Sequence, residues 1–148
     1  MEETIKILKK RENAVVPERK SKGAAGMDLC ACIDEAVTLA PMEKAVLPTG
    51  IAVALPGESY VALVFARSGI AIKHGIALSN GVGVIDSDYR GEICVGVVNL
   101  SKESYTIAPN ERIAQLVVTP VSAMPAVEVD SLDETERGEG GFGSTGRV

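Results

Sequence analysis

Ala45-Val-Leu47-Pro48-Thr49-Gly50-Ile51-Ala-Val-Ala-Leu55-Pro56-Gly57-Glu58-Ser59-Tyr60-Val-Ala-Leu-Val-Phe65 holds three apolar runs cut by two turn signals, Pro48-Thr49-Gly50 and Pro56-Gly57. Runs this short, rich in Val, Ala and Ile and punctuated by Pro and Gly, read as β-strands. The same pattern extends outward to residues 4–8, 83–85, 92–100 and 112–119, with further turn signals at Asn80-Gly81 and Pro109-Asn110. Apolar residues at helical spacing are almost absent, and residues 67–74 are the best candidate for one short helix or turn. The chain is therefore expected to be all-β, a jelly roll or distorted barrel of many short strands.

A length of 148 residues with 46% hydrophobic residues suits one domain with a single core. No apolar run approaches the roughly 20 residues needed to span a bilayer. The first ten residues are acidic, then basic, without an apolar leader, so a soluble, unexported, cytoplasmic protein with no membrane association is expected. Cys30, Cys32 and Cys94 are odd in number and read as reduced thiols, the first two on one face of an alternating strand. The net charge of −5 argues against a nucleic-acid binder, which needs a basic surface to release counterions. His74 is the only histidine, which disfavours His-rich zinc sites and Ser-His-Asp hydrolysis. The chemistry left available is carboxylate-based.

After about residue 125 the composition turns to Asp, Glu, Gly, Ser and Thr. Residues 1–125 are thus expected to form the barrel and 126–148 a mobile arm that cannot order itself by apolar burial. The arm closes on Arg137-Gly-Glu-Gly-Gly-Phe142-Gly-Ser144-Thr145-Gly146, where Phe142 is a lone aromatic. No Gly-Lys-Ser/Thr ending and no following helix support a Walker-type loop there.

Two internal stretches carry chemistry. Asn80-Gly-Val-Gly-Val84-Ile85-Asp86-Ser87-Asp88-Tyr89-Arg-Gly91-Glu92 reads as a β-hairpin ending in carboxylates and an aromatic. In a regular hairpin Asp86 and Asp88 point one way and Tyr89 the other, unless a bulge at Ser87 or Gly91 re-aims them. Alone, paired aspartates in a turn are ordinary solvated caps. Arg67-Ser68-Gly69 offers a guanidinium, a hydroxyl and an unshielded amide, a sensible phosphate cradle, although an isolated Arg-Ser-Gly is usually just a loop. Lys73 and His74, just beyond, read as solvated loop residues.

Taken together in order, five segments resemble the five motifs of the homotrimeric dUTPases: Ala25-Gly26-Met27-Asp28-Leu29, Ala66-Arg67-Ser68-Gly69, residues 80–92, Glu111-Arg112-Ile113-Ala114-Gln115-Leu116, and residues 137–146. The resemblance implies hydrolysis of dUTP to dUMP and pyrophosphate, which lowers dUTP, keeps uracil out of DNA and supplies dUMP for thymidylate synthesis. It also implies a homotrimer with sites at the subunit interfaces, each completed by a neighbour's arm. Asp86 matches the catalytic carboxylate that orients a water for attack on the α-phosphorus. The backbone at Val84 and Ile85, with Asn80, would read the uracil edge, and Tyr89 would pack on the deoxyribose and refuse a 2′-hydroxyl. Arg67, Ser68, Gly69 and Gln115 match the phosphate ligands. The cofactor implied is Mg²⁺, held mainly by phosphate oxygens and waters, with Asp28 reaching one of those waters; alternatively Asp28 closes a turn. Phe142 would stack on the base, while Arg137, Ser144 and Thr145 would meet the outer phosphates. Met27 and Cys94 depart from the commoner pattern without touching the activity. A dCTP deaminase shares the fold, but Tyr89 and the fifth segment argue against it; a nucleotide-binding regulator without turnover is the rival outside enzymes.

Overall fold

The computed structural model describes residues 3–142. The strands, in order, are β1 (Lys6–Lys9), β2 (Met27–Cys30), β3 (Val37–Leu39), β4 (Lys44–Pro48), β5 (Ile51–Ala54) and β6 (Tyr60–Ala66). The short helix α1 (Ser68–His74) follows, then β7 (Ile76–Leu78), β8 (Gly83–Ile85), β9 (Cys94–Asn99), β10 (Tyr105–Ile107) and β11 (Arg112–Pro120). The all-β expectation holds.

The strands pair antiparallel in four small sheets ordered β1-β5, β3-β10, β2-β11-β6-β8 and β4-β9-β7. β11 is the longest strand and the pivot of the largest sheet. Its register sets Gln115 opposite both Asp28 of β2 and Phe65 of β6, with an irregularity between Arg112 and Ala114. Alternating side chains from all four sheets meet in one core, where Leu29, Leu47, Ile51, Ile107 and Leu116 are almost wholly buried. Each such side chain contributes about 1.5–3 kcal/mol by leaving water.

α1 starts where Arg67 is still extended (φ −91°, ψ 134°) and stops at Gly75, whose left-handed backbone (φ 69°) lets its N–H reach the Ala71 carbonyl at 2.9 Å. A side chain at Gly75 would also lie 2.8 Å from the Ser101 nitrogen, so glycine is required there twice over. Lys73 and His74 are the last turn of this helix rather than loop residues, and the His74 ring stands over Tyr105 with centroids 4.6 Å apart.

The hairpin expected over residues 80–92 takes a different form. β8 does not pair with the chain that follows it: β8 joins β6, and β9 joins β4 and β7. The chain there crosses between sheets, with Gly81 (φ 75°) turning it out of β7 and residues 86–93 carrying it from the edge of one sheet to the middle of another. Ile93 fastens the crossing, donating to the Ile51 carbonyl at 2.8 Å and accepting from the Thr49 N–H at 3.0 Å. Past Pro120 the described chain has neither helix nor strand, and residues 121–139 are exposed. No described helix is long and apolar enough to cross a membrane. All three cysteines are unbridged thiols, Cys32 buried and Cys94 exposed.

Candidate active site

The crossing opens a cavity of about 330 Å³ between the two sheets, near the small end of the size range of ligand pockets. β8 forms one wall. It is the outermost strand of its sheet, bonded to β6 along one edge only, so the backbone of its second edge is left for something other than a strand. Val84, Ile85 and Asn80 line this wall, Cys94 at the start of β9 lines the opposite one, and Asp86 and Tyr89 stand at the turn between them.

Strand alternation would have sent Asp86 and Tyr89 apart, but it ends at Ile85. The Tyr89 N–H bonds the Asp86 carbonyl at 3.1 Å, closing a turn that brings both side chains to one cavity, which Asp88 does not line. The Tyr89 ring then lies against Gly91: a Cβ at residue 91 would overlap the Tyr89 hydroxyl and ring. Gly91 has no left-handed backbone to explain it. Its reason is room for the ring. The Tyr89 hydroxyl donates to the Glu92 carbonyl at 3.1 Å, fixing the ring at its far end. Burial first, and then the nearby Glu92 charge, push the Cys94 thiol up, so it stays protonated at neutral pH.

A second set of residues collects at the far end of β6 and β11. The Asp28 carboxylate accepts from Arg67 Nε at 2.7 Å and from Arg112 Nη1 at 3.1 Å, placing one carboxylate between two guanidiniums and leaving the cluster one positive charge in excess. Asp28 sits within β2, so it does not serve to close a turn. Gln115, opposite Asp28 in the register, donates to the Ala66 carbonyl at 3.0 Å, and its side chain fills the place a Cβ of Gly26 would need. Ser68 and Gly69 open α1 and are exposed, with empty space where a Gly69 side chain would stand. Arg67, Gly69, Lys73 and Arg112 line a second cavity, of about 380 Å³, that shares no residue with the first.

Of the arm, Arg137 turns its Nε to the Gly140 carbonyl at 2.8 Å, and Phe142 is fully exposed with a left-handed backbone (φ 52°). Neither lines either cavity. Ser144 and Thr145 lie outside the described residues.

The dUTPase family model matches residues 12–146. The chain belongs to the dUTPase family. It is 51% identical to the deoxyuridine 5′-triphosphate nucleotidohydrolase of Fusobacterium nucleatum, covering 97% of each chain. It is 49% identical to that of Neisseria meningitidis serogroup A, covering 99% of this chain and 97% of the relative. Among solved structures, the Staphylococcus bacteriophage 80alpha dUTPase with dUpNHpp superposes with a TM-score of 0.86 at 34% identity, covering 97% of this chain and 98% of that one. A mutant dUTPase from phage phi11 of S. aureus, described for its coordination of a structural Mg(II) ion, superposes with a TM-score of 0.79 at 29% identity, covering 88% and 99%.

Sequence reasoning named the five motif segments of this dUTPase-family chain but missed three residues that brace them. Arg112 was quoted within a motif, yet nothing in its neighbours announced that it shares Asp28 with Arg67. Glu92 closes the third segment and Arg11 lies 81 positions away outside every segment, and no local pattern signals the ion pair they form.

Proposed function

We propose that the chain hydrolyses dUTP to dUMP and pyrophosphate by attack of water on the α-phosphorus. The observation that carries this reading is the cavity at the sheet crossing: a strand edge with free backbone groups faces a carboxylate and a seated tyrosine in one small space. That arrangement occurs in a dUTPase-family chain about half identical to named dUTP nucleotidohydrolases over nearly its full length.

The free edge of β8 at Val84 and Ile85 would pair with the uracil edge, with Asn80 assisting. Fixed backbone donors and acceptors reject a wrong base because the mismatch leaves buried polar groups unpaired. The Tyr89 ring, held by Gly91 and the Glu92 carbonyl, would pack on the sugar where a 2′-hydroxyl would otherwise fit. Asp86 would orient the attacking water and take its proton as the bond to the α-phosphorus forms. Arg67, Ser68, the Gly69 amide and Gln115 would bind the phosphates; the excess positive charge around Asp28 and the open space at Gly69 support this assignment.

The cofactor would be Mg²⁺, an ion that would arrive on the triphosphate and keep most of its waters. Asp28 is the residue that would reach one of those waters. Bound there, Mg²⁺ would neutralise charge on the phosphate oxygens. From its membership of the dUTPase family we assign the working enzyme as a cytoplasmic homotrimer, in which one subunit's β8 cavity would meet another's Arg67 cluster. Residues 1–125 form the body and residues 126–148 the arm, which brings Arg137, Phe142, Ser144 and Thr145 to a neighbour.

The test is pyrophosphate release from dUTP, UTP, dCTP and dTTP, each with Mg²⁺ and with EDTA. Release from dUTP alone, abolished by EDTA, is expected. Equal release from all four, or ammonia from dCTP, would overturn the reading.

A further inference from the structure

Arg11 lies outside every motif segment, just beyond the end of β1, yet its guanidinium reaches the candidate active site at one remove. It meets the Glu92 carboxylate with two nitrogens, Nε to Oε1 at 2.9 Å and Nη2 to Oε2 at 3.5 Å. The same Oε1 accepts the Gly50 N–H at 2.9 Å. Gly50 in turn accepts at its carbonyl from the Lys10 and Arg11 amides at 2.7 and 3.3 Å. Its left-handed backbone (φ 70°) has Ala14 and Cys32 standing where a Cβ would go, so the position is fitted to glycine. Glu92 is thus held from two directions, and its own carbonyl holds the Tyr89 hydroxyl at 3.1 Å. With Gly91 beneath the ring, the tyrosine has one seat, and Glu92 fixes its outer end.

From this chain of contacts we infer that Arg11 is a positioning residue for sugar selection: by clamping Glu92 it holds the Tyr89 ring in the place where the ring excludes a ribose. The inference rests on the sugar-packing role given to Tyr89 above. Without the clamp, the Glu92 carboxylate keeps only the Gly50 N–H beside the cavity it lines, and the residue that anchors Tyr89 gains freedom. A looser ring opens room for the 2′-hydroxyl while leaving Asp86 and the phosphate ligands in place, so discrimination suffers before turnover does.

The experiment compares kcat and KM for dUTP and UTP in the wild-type protein, Arg11→Ala, Arg11→Gln and Arg11→Lys. In Arg11→Ala the preference for dUTP over UTP is expected to fall about fivefold, the scale of one partly exposed ion pair, with kcat on dUTP changed less than about twofold. Arg11→Lys, which keeps the charge and one contact, recovers most of the preference. Arg11→Gln gives the reading if the alanine variant folds poorly. A preference unchanged in Arg11→Ala and Arg11→Gln, or equal losses on both nucleotides, would reduce Arg11 to a structural tie and overturn the inference. A wild-type enzyme with no preference for dUTP over UTP would instead overturn the role of Tyr89, a separate failure.

Discussion

Asp86 leaves β8 where the strand stops, and the turn it closes with Tyr89 converts two residues that alternation would separate into neighbours at one cavity. Replacing its carboxylate by an amide keeps the size and the turn while removing the proposed base. Asp86→Asn is expected to lower turnover of dUTP about 10²- to 10⁴-fold, with nucleotide binding retained in a calorimetric titration; a near-normal kcat would remove Asp86 from the chemistry. At this scale local pattern alone left Asp86, Tyr89 and Arg67-Ser68-Gly69 as turn and loop residues; the resemblance singled them out, and the structure puts Asp86 and Tyr89 at one cavity and Arg67 and Gly69 at another. The sequence was opaque where the role comes from a partner far away. Gly91 illustrates the divide: the sequence allowed a bulge there, whereas the fold needs the missing side chain to seat a ring. Arg11 and Arg112 have their meaning only through Glu92 and Asp28, and no local pattern could pair them.

Among the elements, β9 ends in Asn99, a polar side chain without solvent exposure. Its Nδ2 donates to the carbonyls of Leu39 and Glu103 at 2.9 and 2.8 Å, and its Oδ1 accepts from the Ser101 N–H and hydroxyl at 2.9 and 2.8 Å. Asn99→Ala strands those buried groups and is expected to cost about 2–4 kcal/mol, read as a drop in the urea midpoint at constant slope. β10 carries a second test. Burial first, and then the hydrogen bond to Glu111 and its charge, push the Tyr105 hydroxyl up to about 12. The folded state therefore favours the neutral phenol. Its contribution is complete below the unfolded value near 10 and is lost as pH rises towards 12. The stability difference between wild type and Tyr105→Phe should accordingly shrink from pH 9 to pH 12, and a constant difference would dismiss the bond. The strands legible in the sequence were the apolar runs bounded by turn signals, three-residue β8 among them. β2, β3, β7 and β10 were not, and in β2, β3 and β10 a polar residue interrupts the apolar pattern.

For the whole molecule, the proposed site residues are divided between two cavities, which the proposed trimer would join across subunits. Truncation before Arg137 removes only residues beyond the last strand, which ends at Pro120. The shortened chain is expected to keep its thermal transition and its mass in solution while losing most dUTP hydrolysis; full activity would take the arm out of the mechanism. That the chain is all-β was readable from composition and punctuation, but which strand lies beside which was not. The site depends on that order, since only the placing of β8 at the border of its sheet leaves backbone groups for a ligand. An unpaired border is also where foreign chains add on, rung by rung, and β8 presents Val84 there at 65% exposure. Its defence is brevity: Gly83 to Ile85 is three residues, closed by the Gly81 turn and by the charge of Asp86. Attempts to stiffen the binding wall by lengthening this strand would hand the protein a template for aggregation, so shortness here guards solubility as well as shaping the pocket.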